Sequence, residues 1–456
     1  MAKINPTIFK SYDIRGEFPE KINEEVAFLI GKAFVKFLKK KKPSIVVGRD
    51  NRLSSPKLKK ALISGLSQAG AKIIDISLAT TPILYFTVAH FGYDGGIQIT
   101  ASHNPPKENG FKLVRERAIP ISKKTGLLKI QKIAEKLNLK RKAKKSKLIK
   151  KEVKKEYFSF LLSQFNPCLF SGFKVVIDTG NGVAGILIPY LKRFLPIKIY
   201  PLFEKLDGKF PHHLPDPSKK ENLLFLQKKV IEKKANLGIC FDGDGDRILF
   251  VDEKGEIVPG DIVTAILAEI LLSERPGEKI LYDVRSSNVV FETIKKLNGI
   301  PIISRIGHSF IKERMRRENI LFGGETSGHY YLRDHYFCES PIFVFLKILE
   351  KMKKEKKKLS EICEPFKKYF QSGEINFEIK NKEEVLEKLK EKYGKRGKIL
   401  TIDGLRVDFK DWWFLARPSG TEDLLRVSIE AKTKKRLREK KREIIRFISS
   451  LEKELG

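Results

Sequence analysis

Short apolar runs alternate with amphipathic stretches along most of the chain, and the switching between a period of two and a period near 3.6 predicts strands and helices in turn. The β-branched run Ser44–Gly48 leads into the polar loop Arg49–Ser55, then a helix opening at Pro56 and closing at Gly70, then a strand over Lys72–Ile76. Proline suits the first helical turn and glycine the position past the last, so this punctuation marks a βαβ unit. The plan returns at Lys174–Ile177, which enters Asp178-Thr179-Gly180-Asn181-Gly182 before a helix, and again at Lys279–Asp283 ahead of Arg285-Ser286-Ser287. Past about residue 370 the texture changes. Strands are predicted around Gly373–Ile379, Ile399–Phe409, Trp412–Ala416 and Leu425–Ile429, bracketing a helix over Lys382–Tyr393, and a charged helix closes the chain. The predicted class is α/β, with three tandem related α/β domains with mixed sheets plus a smaller C-terminal α+β domain.

At 456 residues the chain exceeds what one hydrophobic core organises, which agrees with several domains. The basic stretch Lys140–Lys155 separates the first unit from the second, and the turn Glu253–Gly255 precedes the third. The expected domains are 1–153, 154–256, 257–368 and 369–456, with the Lys351–Lys358 run inside a helix near the end of the third. No apolar run approaches the ~20 residues that cross a bilayer, and the opening lacks a secretory apolar stretch, so a soluble cytoplasmic protein is expected. Cys168, Cys240, Cys338 and Cys363 are far apart and form no CxxC pair, which argues against a zinc site or a disulfide framework, and they are expected to be buried thiols.

Charge is the compositional outlier, at +35. Its Lys-rich runs are mixed with helix formers and lack the interleaved aromatics of a base-stacking platform. They read as solvated surface and as a field that steers a phosphorylated small molecule. A basic nucleic-acid-binding protein is the alternative from a different class, and three converging carboxylates, described next, would be of no use to it.

Four loops carry candidate chemistry. Thr100-Ala101-Ser102-His103-Asn104-Pro105 follows the apolar strand Gly96–Ile99 and presents a hydroxyl that needs a base or a metal-neutralised partner to react. Asp242-Gly243-Asp244-Gly245-Asp246-Arg247 sets three carboxylates at alternate positions, with glycines that let them converge on one hard cation. An EF-hand loop would put Glu253 at its twelfth position. However, Arg247 stands where that loop needs glycine, and the flanks Leu237–Phe241 and Ile248–Val251 are predicted strands, so Mg²⁺ is the expected ion. Gly323-Gly324-Glu325-Thr326-Ser327-Gly328-His329, after the short strand Ile320–Phe322, gathers groups that suit sugar hydroxyls, although such a loop alone is also an ordinary turn. Arg417-Pro418-Ser419-Gly420-Thr421 offers a guanidinium fork, hydroxyls and backbone N–H groups that suit a phosphate, or again a plain turn.

The four loops in this order resemble the α-D-phosphohexomutase family, end to end, together with Ile8–Gly16, Val47–Asp50, Asn109–Lys112, Phe210–Pro217 and Ile306–Ser309. That resemblance implies four domains around a central cleft, the last a mobile lid. It also implies a phosphate carried on Ser102, and magnesium held by Ser102, Asp242, Asp244 and Asp246. Sugar hydroxyls would be held by Glu325, Ser327 and His329, and the non-transferring phosphate by Arg417, Ser419, Gly420 and Thr421. Tyr12 and His103 match substrate-binding positions, and Arg15, Lys112, His308 and Arg247 match positions that handle protons or neutralise charge. The implied reaction interconverts hexose 1- and 6-phosphates through a bound hexose 1,6-bisphosphate, in a monomer or small homo-oligomer with no nucleic-acid or membrane partner. Tyr12–Gly16 and Thr326 look like phosphomannomutase/phosphoglucomutase, and phosphoglucosamine mutase is the alternative. Asp423, where the family commonly has proline, and Cys338-Glu339-Ser340-Pro341 depart from its pattern.

Overall fold

The computed structural model describes residues 4–139, 147–419 and 423–455. The part of the Lys140–Lys155 stretch over 140–146 lies outside the described residues, as do Gly420 and Thr421. The chain forms three α/β domains and a smaller C-terminal α+β domain, each built on its own strands. It divides into two compact units: Met1–Pro259 with Gly307–Phe322 and Ser327–Ile362, and Gly260–Ile306 with Gly323–Thr326 and Cys363–Gly456.

In the first unit, one mixed sheet runs in the order Ile14–Glu17, Glu108–Arg115, Gly95–Ile99, Ser44–Arg49, Lys72–Leu78, Leu148–Lys150. Ser44–Arg49 is parallel to both Lys72–Leu78 and Gly95–Ile99, whereas Glu108–Arg115 returns antiparallel to Gly95–Ile99 and to Ile14–Glu17. Helices Glu24–Leu38, Ser55–Gln68 and Thr81–His90 supply side chains that seal its faces, with Phe28, Phe34, Leu62, Val47 and Ile97 fully buried. Two parallel neighbours deliver their following loops to one edge of the sheet. The Asp50 N–H donates to Ile99 O at 2.9 Å, so the loops after Arg49 and after Ile99 emerge side by side.

A second sheet of the same unit has the order Ile257–Val258, Ile248–Asp252, Leu237–Phe241, Lys174–Asp178, Lys198–Leu202. Leu237–Phe241 lies parallel to Lys174–Asp178 and antiparallel to Ile248–Asp252, and every residue of Leu237–Phe241 is buried. Its carboxyl end, beside that of Lys174–Asp178, is where an open α/β sheet places its ligand-facing loops. The Glu253–Gly255 turn joins two strands of this sheet. The unit also contains helices His308–Glu318 and Pro341–Glu355 and the antiparallel pair Tyr330–Leu332/Cys338–Glu339.

In the second unit, Lys279–Asp283 pairs parallel with Ile300–Ser304, beside helices Gly260–Glu274 and Asn288–Lys296. The C-terminal sheet is antiparallel throughout, in the order Phe370–Glu378, Leu424–Ala431, Trp412–Pro418, Leu405–Asp408, Lys398–Leu400. Helices Lys382–Tyr393 and Lys434–Leu455 cover it. On the closing helix Ile444, Ile448 and Leu451 are buried at helical spacing, which leaves its basic positions outward.

Three expectations need correction. The single strand expected over Ile399–Phe409 is a hairpin of Lys398–Leu400 and Leu405–Asp408, turned at Gly404 with φ of 84°. The Lys351–Lys358 run is not wholly helical, because Lys356 adopts the left-handed conformation and ends the helix. Cys168 is exposed, whereas Cys240, Cys338 and Cys363 are buried; all four are free. Among the described residues no helix is long and apolar enough to cross a membrane.

Candidate active site

The buried strand Gly95–Ile99 ends at a loop that its own sequence prevents from continuing as sheet, because Pro105 and Pro106 lack the N–H a ladder needs. Ser102 sits at the tip with φ of 51°, a left-handed conformation that costs a side-chain-bearing residue roughly 1 kcal/mol. The Ser102 N–H donates to Thr100 Oγ1 at 2.8 Å, which helps hold it there. The Ser102 hydroxyl donates to Asp242 Oδ2 at 2.7 Å and lies 3.2 Å from His103 Nδ1. Two residues 140 apart in sequence thus meet through the edges of two sheets.

Asp242, Asp244 and Asp246 follow the buried strand Leu237–Phe241 and are themselves buried, each offering an oxygen within 4.8 Å of the others. Asp242 Oδ1 accepts the N–H groups of Asp246 and Arg247 at 3.0 and 3.1 Å, which curls the loop around its own first carboxylate. Gly243 is required there. A Cβ on it would lie 2.4 Å from Ser102 O, so the two loops touch backbone to backbone. Thr81 Oγ1 donates to Asp244 Oδ2 at 2.6 Å, and Lys112 Nζ lies 2.7 Å from Asp244 Oδ2 and 2.5 Å from Asp246 Oδ2.

Burial and the two neighbouring carboxylates push Asp242 well above the usual carboxylate range. Burial acts the same way on Asp246, but Lys112, His329 and Arg247 outweigh it and hold Asp246 well below that range. Burial would lower the Lys112 ammonium, and Asp244 and Asp246 more than reverse this. Asp244 Oδ1 is buried without a hydrogen-bond partner. A converging, oxygen-only donor set with an unpartnered buried oxygen fits a hard divalent cation.

Around this core the first unit gathers Tyr12, Arg15, His103, Lys112, Arg247, His308, Ser327 and His329. Strand register explains Arg15 and Lys112: Arg15 is opposite Gly110 and Lys112 opposite Gln98, so both belong to strands adjoining the serine loop. Arg15 pairs with Asp13 at 2.8 Å and donates to Asn104 Oδ1 at 2.9 Å and Ala101 O at 3.3 Å. Arg247 Nε donates to His329 Nε2 at 3.3 Å. His329 in turn lies 3.3 Å from Asp246 Oδ1 and 3.1 Å from Ser327 Oγ. Tyr12 packs edge-on against His308, ring centroids 5.5 Å apart. Burial, then Lys312, Lys112 and His329, hold His308 well below the usual imidazole range, and neither of its ring nitrogens has a hydrogen-bond partner. His103 is lowered likewise by burial, Arg247 and Arg15.

The expected sugar loop is divided, with Ser327 and His329 in the first unit and Glu325 in the second. In the second unit the Thr326 N–H donates to Asp283 Oδ2 at 2.9 Å, and Arg285 Nη2 lies 2.8 Å from that oxygen and 4.0 Å from Glu325 Oε2. Arg417 sits 4.0 Å from Glu374 and is held below its ordinary value by burial and by the charges of Arg285 and Arg426. Ser419, also buried, donates its N–H to Leu424 O at 2.8 Å. Neither Thr81 nor Arg285 belongs to the four loops that carry the predicted site residues. Arg285 could have been found from its place two residues past the end of a parallel strand, whereas Thr81 carried no such signal.

Models of the four phosphoglucomutase/phosphomannomutase domains match the chain in order: alpha/beta/alpha domain I over residues 6–141, domain II over 155–255, domain III over 259–369, and the C-terminal domain over 374–447. A phosphomannomutase of Vibrio cholerae is 40% identical over 437 residues, covering 93% of this chain and 94% of that protein. One from Methanocaldococcus jannaschii is 39% identical over 454 residues, covering 98% and 99%. The crystal structure of a phosphoglucomutase/phosphomannomutase family protein from Burkholderia thailandensis superposes with a TM-score of 0.90 at 31% identity, covering 98% of both chains.

Proposed function

The chain belongs to the phosphoglucomutase/phosphomannomutase family and is a phosphohexomutase, and we propose that it interconverts the 1- and 6-phosphates of mannose, glucose or both through a phosphorylated Ser102 and a bound hexose 1,6-bisphosphate. The carrying observation is the contact of Ser102 Oγ with Asp242 at 2.7 Å beside two further buried carboxylates. Ser102, Asp242, Asp244 and Asp246 would hold Mg²⁺, which when bound offsets charge on the phosphate in flight.

The chain's own groups divide the remaining work. In the first transfer the bond from phosphorus to Ser102 Oγ breaks as one forms to the free sugar hydroxyl, whose proton passes to a nearby base. In the second, after the bisphosphate turns, Ser102 Oγ bonds to the other phosphorus as its bond to the sugar oxygen breaks, and that oxygen takes up the proton removed in the first. His308 is assigned to proton handling, while Lys112, Arg15 and Arg247 neutralise charge. Tyr12, His103, Glu325, Ser327 and His329 are assigned to substrate. Arg417, whose guanidinium lies near the charges of Arg285 and Arg426 and is partly compensated by Asp403 and Glu374, is assigned with Ser419, Gly420 and Thr421 to the phosphate that is not transferred.

We assign the phosphoserine loop, the metal site, the sugar site and the site of the non-transferred phosphate to segments 1–153, 154–256, 257–368 and 369–456 in turn, and place the protein in the cytoplasm as a monomer or small homo-oligomer that acts on phosphosugars and not on nucleic acid or membranes. The test is a coupled assay with mannose and glucose 1-phosphates, Mg²⁺ and a trace of the matching 1,6-bisphosphate. Turnover of at least one sugar that vanishes in Ser102→Ala is expected; full turnover in that variant, or none with either sugar in the unaltered protein, overturns the assignment.

A further inference from the structure

Arg52 contacts no carboxylate of the metal loop, yet its side chain is 0% exposed directly beneath the serine loop. Its guanidinium donates to four backbone carbonyls there: Nη2 to Ser102 O at 2.8 Å and Asn104 O at 2.6 Å, Nη1 to Pro105 O at 2.6 Å and Glu108 O at 3.0 Å. Asp50 Oδ2, 3.2 Å from Arg52 Nε, balances the buried charge. From the far side the Phe210 ring lies 5.1 Å from the guanidinium carbon. A Cβ on Gly208 would come within 2.9 Å of Arg52 Cα, so the segment leading to Phe210 presses on the backbone as Phe210 does on the head group.

Pro105 and Pro106 contribute no donors, and Ser102 is in the left-handed region. The loop's own bonds, Ser102 N–H to Thr100 Oγ1, Asn104 N–H to Ala101 O, Glu108 N–H to Pro105 O and Asn104 Nδ2 to Glu108 Oε2, leave the Ser102 and Asn104 carbonyls to Arg52. A planar fork with fixed N–H directions can satisfy four carbonyls at once, which an ammonium with three donors on one point cannot. The Ser102 carbonyl that Arg52 binds is also the atom against which Gly243 packs. The guanidinium thereby sets the serine loop against the metal loop.

We propose that Arg52 is a positioning residue for phosphoryl transfer, fixing the Ser102–Glu108 backbone so that Ser102 Oγ faces Asp242, with Phe210 as its clamp. The inference rests on the phosphoserine reading above. A misplacement of about 1 Å at a reacting atom is worth about 10²-fold in rate, and the loss should fall on kcat, since the substrate contacts assigned above are made by other side chains.

The test compares Arg52→Lys and Phe210→Leu with the unaltered protein by steady-state kinetics, Mn²⁺ titration, thermal melting and amide exchange over residues 101–108. Arg52→Lys keeps the buried charge beside Asp50 and is expected to fold. Its kcat should fall about 10²-fold, with KM and Mn²⁺ affinity within about threefold, and exchange should speed up at 101–108 alone. Phe210→Leu should lose about three- to tenfold in kcat with the same local exchange signature. Unchanged kcat in both variants, or a loss shared equally by KM, metal affinity and melting, overturns the proposal. Unchanged exchange at 101–108 overturns it too, even if the unaltered protein turned over no phosphosugar and the functional reading itself failed.

Discussion

Asp242 carries a conflict between stability and chemistry that a single atom can resolve. Its native pKa is raised by burial and by Asp246 and Asp244, so the stability that protonated Asp242 contributes is complete below the unfolded carboxylate value near ~4 and is lost as pH rises through the native value. Asp242→Asn keeps an oxygen for the Asp246 and Arg247 N–H groups and removes one of three mutually repelling charges. In EDTA at neutral pH this variant should therefore melt higher than the unaltered protein, by about 1 kcal/mol. Added Mg²⁺ should raise the melting temperature of the unaltered protein but hardly that of the variant, and turnover should fall at least ~10²-fold. A variant that melts lower in EDTA would show that the carboxylate is paired well enough not to be strained. The residues of this conflict were legible in the chain because Asp242, Asp244 and Asp246 are packed into five positions, as Ser102 and His103 are into adjacent ones. Thr81 and Arg52 were not, since their partners stand 163 and 50 residues away and nothing local distinguishes a buried polar contact from a solvated one.

Elements bounded by strong punctuation were the readable ones. Lys279–Asp283, Leu237–Phe241 and Lys382–Tyr393 have in the structure the limits that their apolar runs and flanking residues predict. The hairpin of Lys398–Leu400 and Leu405–Asp408 carries its own turn signal, Asp403-Gly404, but reads as one strand because Ile402 extends the apolar run of Ile399 and Leu400 up to it. Nor could the pattern show that the short turn Arg333–His335 fastens two helical segments. His335 Nδ1 lies 2.6 Å from Ser340 Oγ at the start of helix Pro341–Glu355, its Nε2 lies 2.9 Å from Gln164 Nε2 and 3.2 Å from Gln164 Oε1, and its ring meets Phe343 and Phe160. Burial pushes its pKa down to about 3, only partly opposed by Asp334. With the native value below the unfolded one near ~6.5, the stability held by neutral His335 is complete above ~6.5 and is lost as pH falls toward 3. Urea midpoints should show a decline of roughly 2 kcal/mol between about pH 6.5 and 5 that is attributable to this residue. In His335→Asn, where no ring remains to protonate, that part of the decline should disappear even though the variant is weaker at pH 7. Parallel pH profiles for the two proteins would mean that His335 protonates without cost.

For the molecule as a whole, the net charge of +35 acts on both substrate capture and stability, in opposite directions. Many lysines pair along helices, as Lys351 does with Glu355 and Lys440 with Glu443, but 91 basic residues cannot all find partners among 56 acidic ones. On the closing helix Lys435, Arg438, Arg442 and Arg446 line a groove of about 1020 Å³ with only Glu439 and Glu443 for compensation. Self-repulsion of this kind lowers stability, and the same field draws in an anionic phosphosugar from beyond contact distance. Salt screens both effects over a Debye length that shortens to about 8 Å at physiological ionic strength. Raising potassium chloride from about 20 to 300 mM should therefore raise the melting temperature while lowering kcat/KM for a hexose phosphate about tenfold, with kcat held within about twofold. Equal falls in kcat and kcat/KM would instead point to salt acting on the chemical step. If kcat/KM is unmoved while the melting temperature rises, the basic surface serves no steering role, and salt-dependent retention of nucleic acid becomes the measurement that decides what it is for.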